Sequence, residues 1–479
     1  MATEATIPLG AAQPYLQERS AALRKELRFG DLVLACLLWV VVPDFFGTAL
    51  KAGASHIFLW LIALLLFFIP QALVVSHLNR RMPLEGGLYE WARLAFNDRV
   101  GFLVAWNLWM FSTLYVGVAG MVSVNYVVYA IGPDANWMQS SRWVIAAASL
   151  VTIGLLIFLA RVGLRVGKWL TNLGSILTVV TLLLLAVIPF AGRTQRFPSD
   201  YHPLHFTVPA LSLFTLSVFS KMTFGALAGL EYLAIFSGET HYPARNLSRA
   251  IALTALPIAF LYIFGTNGIL AFVSPNSADM VAPIPQALSL GLQGIRFASV
   301  LVPLSIGFLL INYLSTFSLN FAGNARLPMV AGWDRLLPEW FTKLHPRYRT
   351  PVNSILFAGV VSALASLGTL IGVEEQEAFE LLQILAFTFY GIAYLALFAI
   401  PIVAPKNRGL RPKLWLRLAA ASGFLVTLLF VLLSAFPIIK VANQTAYTMK
   451  TLSVILGANM IGWLIYRVGS RKGTFPARE

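Results

Sequence analysis

Two short stretches decide the reading: Leu38-Trp39-Val40-Val41-Val42-Pro43-Asp44-Phe45-Phe46-Gly47-Thr48-Ala49, and Lys221-Met222-Thr223-Phe224-Gly225-Ala226-Leu227-Ala228-Gly229-Leu230-Glu231. Each lies in an apolar run long enough, at about twenty residues, to cross a hydrocarbon core as helix. Neither is built to stay helical throughout. Pro43 removes a backbone donor and crowds the preceding turn, while Gly47, Gly225 and Gly229 allow conformations closed to other residues. An acid accompanies each interruption, Asp44 in the first and Glu231 in the second. A carboxylate near the bilayer centre costs at least about 2.5 kcal/mol on insertion scales, and such groups usually face an interior cavity with a partner.

Working outward, further apolar runs fall near 56–77, 99–131, 142–162 and 169–192 after the first at 30–52. A second group covers 212–238, 250–274, 297–325, 352–373 and 379–402, and two more runs cover 415–439 and 451–468. This predicts an all-α integral membrane protein of about 12 transmembrane helices, grouped five, five and two in one transporter domain. Its parts are a tail (1–29), a first repeat (30–192), a second repeat (212–402), two added helices (415–468) and a tail (469–479). The interrupted runs are the first and sixth, so they hold corresponding places in the two groups of five. A matched pair of this kind points to an inverted-repeat transporter with a midplane site lined by freed backbone. Irregular backbone at that depth is tolerated only against protein or a watery cavity. Gly225 and Gly229 alone would equally suit close helix packing, and it is their coincidence with the two acids that favours a site.

Composition excludes a soluble protein: 58% of residues are hydrophobic and 11% charged, against roughly 25% charged in soluble domains. The formal charge of +15 comes from short basic clusters between apolar runs rather than from one basic stripe. With the amino terminus cytoplasmic, 27 of the 35 Lys and Arg residues fall in inside segments, the bias expected of cytoplasmic loops. Both termini are then cytoplasmic in a multi-pass cell (inner) membrane protein, and the charge needs no nucleic-acid partner. The first 28 residues hold no apolar region followed by a cleavage site, so no cleaved signal peptide is expected. Cys36 is the single cysteine, and the six histidines lack helical pairing with a second ligand, so neither a disulfide nor a metal is expected. The absence of a phosphate-binding loop and of a nucleophile elbow argues against an ATP-driven pump and against an enzyme.

Four segments carry a family resemblance. Phe224 to Arg249, FGALAGLEYLAIFSGETHYPARNLSR, is the strongest; Gly86 to Phe96, GGLYEWARLAF, and Asn324 to Asn353, NARLPMVAGWDRLLPEWFTKLHPRYRTPVN, follow. The fourth is Asp44-Phe45-Phe46-Gly47-Thr48. Together they resemble the amino acid, polyamine and organocation (APC) superfamily of permeases. The resemblance implies the LeuT-like five-plus-five inverted repeat, with helices one and six broken, two added helices and secondary active transport by alternating access. In such relatives a glycine-serine-glycine run, with its exposed donors, holds the substrate's α-carboxylate. Here Val42-Pro43-Asp44 stands in that place, and Asp44 would repel a carboxylate.

That departure shifts the expected substrate towards a cationic amine, polyamine or basic amino acid. The expected binding residues are Asp44, Phe45, Phe46, Gly47, Phe224, Gly225, Ala228, Gly229 and Glu231, with Phe224 as a lid. An ammonium over an aromatic ring gains about 0.5–2 kcal/mol; Tyr232, Trp106 and Trp109 are further candidates for that contact. Glu231 suits a second role equally, bonding backbone exposed at its own break. Asp44 has three candidate counter-charges: the substrate amine, a coupling proton, or Lys221 in the outer half of the sixth run. Coupling therefore falls to Asp44, Glu231 and Lys221, through a proton or exchange. Relatives sometimes place a lysine in the fifth span as a mimic of sodium, and none lies between Thr171 and Ile188. Sodium would rest on the hydroxyls of Ser315 and Thr316, though such groups more often bond back to their own helix. The alternatives are a permease for neutral or bulky amino acids in which Lys221 neutralises Asp44, and an amine-gated channel or sensor of the same fold. No cofactor is expected; the partners are the small-molecule substrate and the lipid bilayer.

Overall fold

Pro43 cannot donate to the turn before it, and helix α1 (Phe29–Val40) stops short of it. Helix resumes as α2 (Phe45–Leu50). The computed structural model describes residues 25–82, 86–191, 204–293, 297–329, 337–370, 375–403, 412–439, 441 and 443–472. The tails before residue 25 and after residue 472, and parts of the basic stretches at 330–336 and 404–411, lie outside the described residues. The long helices that follow are α3 (Gly53–Arg81), α4 (Asp98–Ile131), α5 (Arg142–Val162), α6 (Leu164–Ala191) and α7 (Leu213–Leu227). Then come α8 (Pro243–Leu270), α9 (Ala298–Asn324), α10 (Val352–Thr369), α11 (Glu375–Val403), α12 (Leu414–Leu433) and α13 (Gln444–Lys472).

After α7 the chain turns at Gly229, whose φ of +131° suits a residue without Cβ. It continues as a tighter helix over Leu230–Glu239. Among the described residues, ten helical stretches are long and apolar enough to cross a membrane, and Phe29–Val40 and Val352–Gly368 are shorter apolar helices. The protein is an all-α, multi-pass integral membrane protein.

Packing is reciprocal between the halves. α4, third in the first group, runs along α11, last in the second; α9, third in the second group, runs along α6, last in the first. These paired contacts are inverted-repeat-like, and both breaks are buried between them. α12 packs on α11, α3 and α7, and α13 packs on α4 and α11.

Within α3 a wider π-turn spans Leu64–Phe68 just before Pro70. Pro70 leaves the Leu66 carbonyl without its usual donor, and Ser422 Oγ on α12 supplies one at 2.7 Å. In an apolar surrounding an unpaired carbonyl would cost several kcal/mol, of order 2–7, so this bond fixes α12 against α3.

Candidate functional site

Asp44 opens α2 and is 1% exposed. The Tyr115 hydroxyl on α4 donates to its Oδ2 at 3.0 Å, and its Oδ1 has no hydrogen-bond partner. The Gln383 side-chain amide on α11 approaches the carboxylate as a second hydrogen-bonding group, though its Nε2 stops short of a strict hydrogen bond to it. Among the described residues no basic side chain pairs with Asp44.

Glu231 sits just past the second break and is as deeply buried, yet both its oxygens are held. The Tyr390 hydroxyl donates to Oε1 at 2.5 Å and the Tyr394 hydroxyl donates to Oε2. Tyr394 also accepts from Gly229 N at 2.6 Å. Gln71 on α3, with its amide turned so that donors meet acceptors, donates to Leu227 O at 2.8 Å and accepts from Leu230 N at 2.9 Å. The peptide groups freed by the second break are thus met by side chains of α3 and α11.

Between the breaks lies a cavity walled by five aromatic rings, Trp39, Phe111, Tyr115, Phe387 and Tyr390. Val42, Gly225, Ala228 and Thr316 complete it. Its free volume of about 10 Å³ corresponds to roughly one water. Phe111 and Tyr390 stack with centroids 4.2 Å apart and planes 5° from parallel. Tyr115 and Tyr390 therefore serve twice, each lining the cavity and each donating to one of the two buried acids. The arrangement offers π faces and acceptors, which suit an ammonium. No described group of three or more His, Cys, Asp or Glu residues could hold a metal ion.

The profile of the amino acid permease family matches residues 32–460, most of the chain. The chain belongs to the amino acid permease family. The permease is 25% identical over 394 residues to an uncharacterized transporter of Legionella pneumophila, covering 81% of this chain and 83% of that one. It is 26% identical over 403 residues to the low-affinity putrescine importer PlaP of Escherichia coli, with 79% and 82% covered. It is 25% identical over 397 residues to the rabbit (Oryctolagus cuniculus) large neutral amino acids transporter small subunit 2, with 78% and 69% covered. The permease is thus an APC-type secondary transporter of small polar or cationic solutes and not an enzyme.

Of the residues expected at the site, Gly225 and Ala228 line the permease's cavity, and Asp44 and Glu231 adjoin it through Tyr115 and Tyr390. Phe45 backs the cavity wall: its ring meets Phe387 edge-on at 4.6 Å and fills the place a Gly225 Cβ would take. Gly229 is covered by the Trp39 ring, which stacks on Tyr232 at 3.8 Å. Phe46 instead packs on Tyr262, and Gly47 lies against the Met280 backbone. Phe224, expected as a lid, points elsewhere: it stacks on Phe430 at 4.5 Å and meets Tyr394 edge-on at 5.2 Å, tying α7 to α11 and α12. Trp106 and Trp109 pack together, Trp109 facing Phe357 and Trp106 donating to Ala458 O.

Lys221 does not pair with Asp44. Its Nζ donates to Phe436 O at 2.6 Å and lies 3.5 Å from Glu380 Oε1 on α11, with both side chains almost wholly buried. The physical reason is a nearer acid on a neighbouring helix. Ser315 and Thr316 also part company: Ser315 Oγ is engaged with the Leu170 and Ile311 carbonyls, whereas Thr316 lines the cavity with its hydroxyl unpartnered.

Sequence reasoning does not bring forward Trp39, Phe111, Tyr115, Gln71, Tyr262 or any residue of α11 as part of the site. For α11 a signal exists. Glu380, Gln383, Phe387, Tyr390 and Tyr394 recur at alternating spacings of three and four, the spacing of one helical face, in a span where polar residues are expensive.

Proposed function

We propose that the permease carries a small cationic amine, of the diamine or polyamine class, by alternating access around its two breaks. The observation that carries this reading is the buried, half-satisfied Asp44 carboxylate beside an aromatic-walled cavity, with no basic side chain of the described residues paired to it. A buried carboxylate without a counter-charge is costly, and a substrate ammonium supplies that charge at the point where cation–π contacts also form. The engagement of Lys221 by Glu380 counts against the neutral-amino-acid alternative, in which Lys221 neutralises Asp44. Similarity to a putrescine importer supports the same class.

In this reading α1 with α2 forms one broken span and α10 completes the set, giving twelve spans with both termini cytoplasmic in a cell membrane. The binding residues are Asp44, Phe45, Gly225, Ala228 and the aromatic wall. Glu231 holds the second break, and a proton or an exchanged amine takes the place of substrate on Asp44 during the return step. Thr316 offers too few oxygens for sodium, which as a hard cation takes several. The test is uptake in proteoliposomes of labelled putrescine, agmatine, arginine and leucine. Saturable putrescine or agmatine uptake, independent of sodium, is expected. Robust leucine uptake with no competition from amines would refute the reading.

A further inference from the structure

A line of phenols leads from Asp44 to the far end of α4. Tyr115, Tyr126 and Tyr129 follow one another at intervals of eleven and three residues, which keeps them on one helical face. At the near end the Tyr115 hydroxyl donates to Asp44. At the far end the Tyr129 hydroxyl donates to Asp279 Oδ2 at 2.9 Å. Asp279, half-buried in the loop between α8 and α9, is fixed there by Val281 N at 2.9 Å and Ala282 N at 3.2 Å on its Oδ1. Tyr126 lies between, wholly buried and within electrostatic reach of both acids. Rings of α9 fill the interval: Tyr126 meets Tyr313 edge-on at 5.0 Å, Tyr313 lies 5.6 Å from Phe317, and Phe317 lies 5.1 Å from Tyr115.

The hydroxyls of Tyr126 and Tyr313 are buried without a hydrogen-bond partner, as is Asp44 Oδ1. Such groups are rare in native interiors and call for a water or a function. Packing alone does not explain them, because phenylalanine would fill either tyrosine's place without burying a polar group. Rings in mutual contact leave no bore for a diamine. A phenol can nevertheless accept a proton on a lone pair while releasing its own, and water can bridge one hydroxyl to the next.

We propose that the proton which replaces substrate on Asp44 is exchanged with the outer solution along this column, with Asp279 at its mouth and Tyr126 as its central relay. At each transfer one O–H bond breaks at the donor and one forms at the acceptor. Every phenol ends neutral as it began, and the net change is one proton taken from solution and one carboxylate, Asp44, neutralised. The titratable groups facing Asp44 are Tyr115 and Tyr126 from α4 and Tyr262 from α8. The Tyr262 hydroxyl is taken up by Val40 O and Val42 N of the first break, and α11 presents only the Gln383 amide. Tyr129 and Tyr126 face Asp279. No basic side chain of the described residues pairs with either acid. The proposal rests on the amine reading only for what displaces the proton.

The first readout needs no substrate. In the full-length permease, time-resolved infrared spectroscopy after a flash-released proton follows the carboxylic C=O band that Asp44→Asn abolishes. Tyr126→Phe, which keeps the ring, should slow the rise of that band about tenfold or more; a rise at the wild-type rate would overturn the column. The second readout uses putrescine in proteoliposomes. In Tyr126→Phe the Kd and the putrescine–putrescine exchange rate should stay within about threefold, while net uptake, which needs a proton on Asp44 for the return, falls more than about fivefold. An equal fall in exchange and net uptake would mark a structural defect and overturn the relay.

Asp279→Asn keeps the test decisive if Tyr126→Phe fails to fold, since it changes only a half-buried loop residue and retains the oxygen that meets Val281 N and Ala282 N. It should slow the Asp44 band in the same way, and an unchanged rate would overturn the column. Wild-type permease that neither binds nor exchanges putrescine would refute the amine reading, and the infrared rates would still decide the column.

Discussion

The two breaks are alike in depth and in carrying an acid, and they differ in how well that acid is served. Glu231 has a tyrosine hydroxyl on each oxygen, and Gln71 and Tyr394 meet the peptide groups around Gly229. Asp44 has one tyrosine on Oδ2 and, beside it, only the Gln383 amide, which stops short of a strict hydrogen bond. In an apolar interior a satisfied carboxylate fixes structure, whereas an under-satisfied one draws in a charge. The second break is a finished joint and the first is an open socket. On the proposed amine reading the two are complementary, since a break that takes up a cation is held by one that does not.

Substitutions at several points would break this contrast or sharpen it. The largest effect on stability is expected outside both breaks, at the pair that keeps Lys221 away from Asp44. Lys221→Met strands Glu380 as a buried charge, which should cost about 3–5 kcal/mol. Chemical or thermal unfolding in detergent would measure it, and adding Glu380→Leu should recover most of the loss. Failure of the double variant to recover would mean that the bonds of the pair to Phe436 O and Ile438 N, rather than the ion pair itself, carry the stability.

Next comes the joint itself. Glu231→Gln should lower stability by about 1–3 kcal/mol, because both tyrosine hydroxyls lose a charged acceptor and one of them loses its acceptor outright. The Kd for putrescine should stay within about threefold, under about 0.7 kcal/mol. A large loss of affinity with stability intact would move Glu231 into direct substrate contact and erase the contrast.

Gly225→Ala probes the wall between the breaks, since a Cβ there would run into the Phe45 ring. Overpacking of this kind costs about 1–3 kcal/mol. Phe45 would be pushed towards Phe387, and bulkier amines should lose uptake before putrescine does. The smallest effect belongs to Thr316→Val, which removes the unpartnered hydroxyl of the cavity. Putrescine affinity should change by less than about threefold, and uptake should be the same with choline in place of sodium. A strict sodium requirement abolished by this variant would restore the hydroxyl as an ion ligand.

Much of the contrast between the breaks is legible in the amino-acid sequence. Pro43, Gly229 and the two acids mark the interruptions because their backbone chemistry is local, and local chemistry survives in a single sequence. The lengths of the apolar runs likewise mark the helices. Partners across helices are less legible. Lys221 shares a helix with the second break and looks available to Asp44, but its partner Glu380 lies 159 positions later on α11, and nothing in either residue's neighbourhood announces the pairing. Phe224 has the right position for a lid, yet which way it turns is decided by Phe430 on α12. Tyr115 and Tyr262 are tyrosines in apolar spans, and only the packing of α4 and α8 against the breaks gives them their hydrogen bonds. The face of α11 from Glu380 to Tyr394 is the exception, since its spacing alone singles it out.

Everything proposed for the first break turns on what Asp44 holds. Equilibrium binding of labelled putrescine to the purified permease, wild type against Asp44→Asn, tests this most directly. Loss of at least about a hundredfold in affinity, about 2.7 kcal/mol, with a melting temperature that is unchanged or higher, is the predicted result. Putrescine binding at wild-type affinity by Asp44→Asn would contradict it.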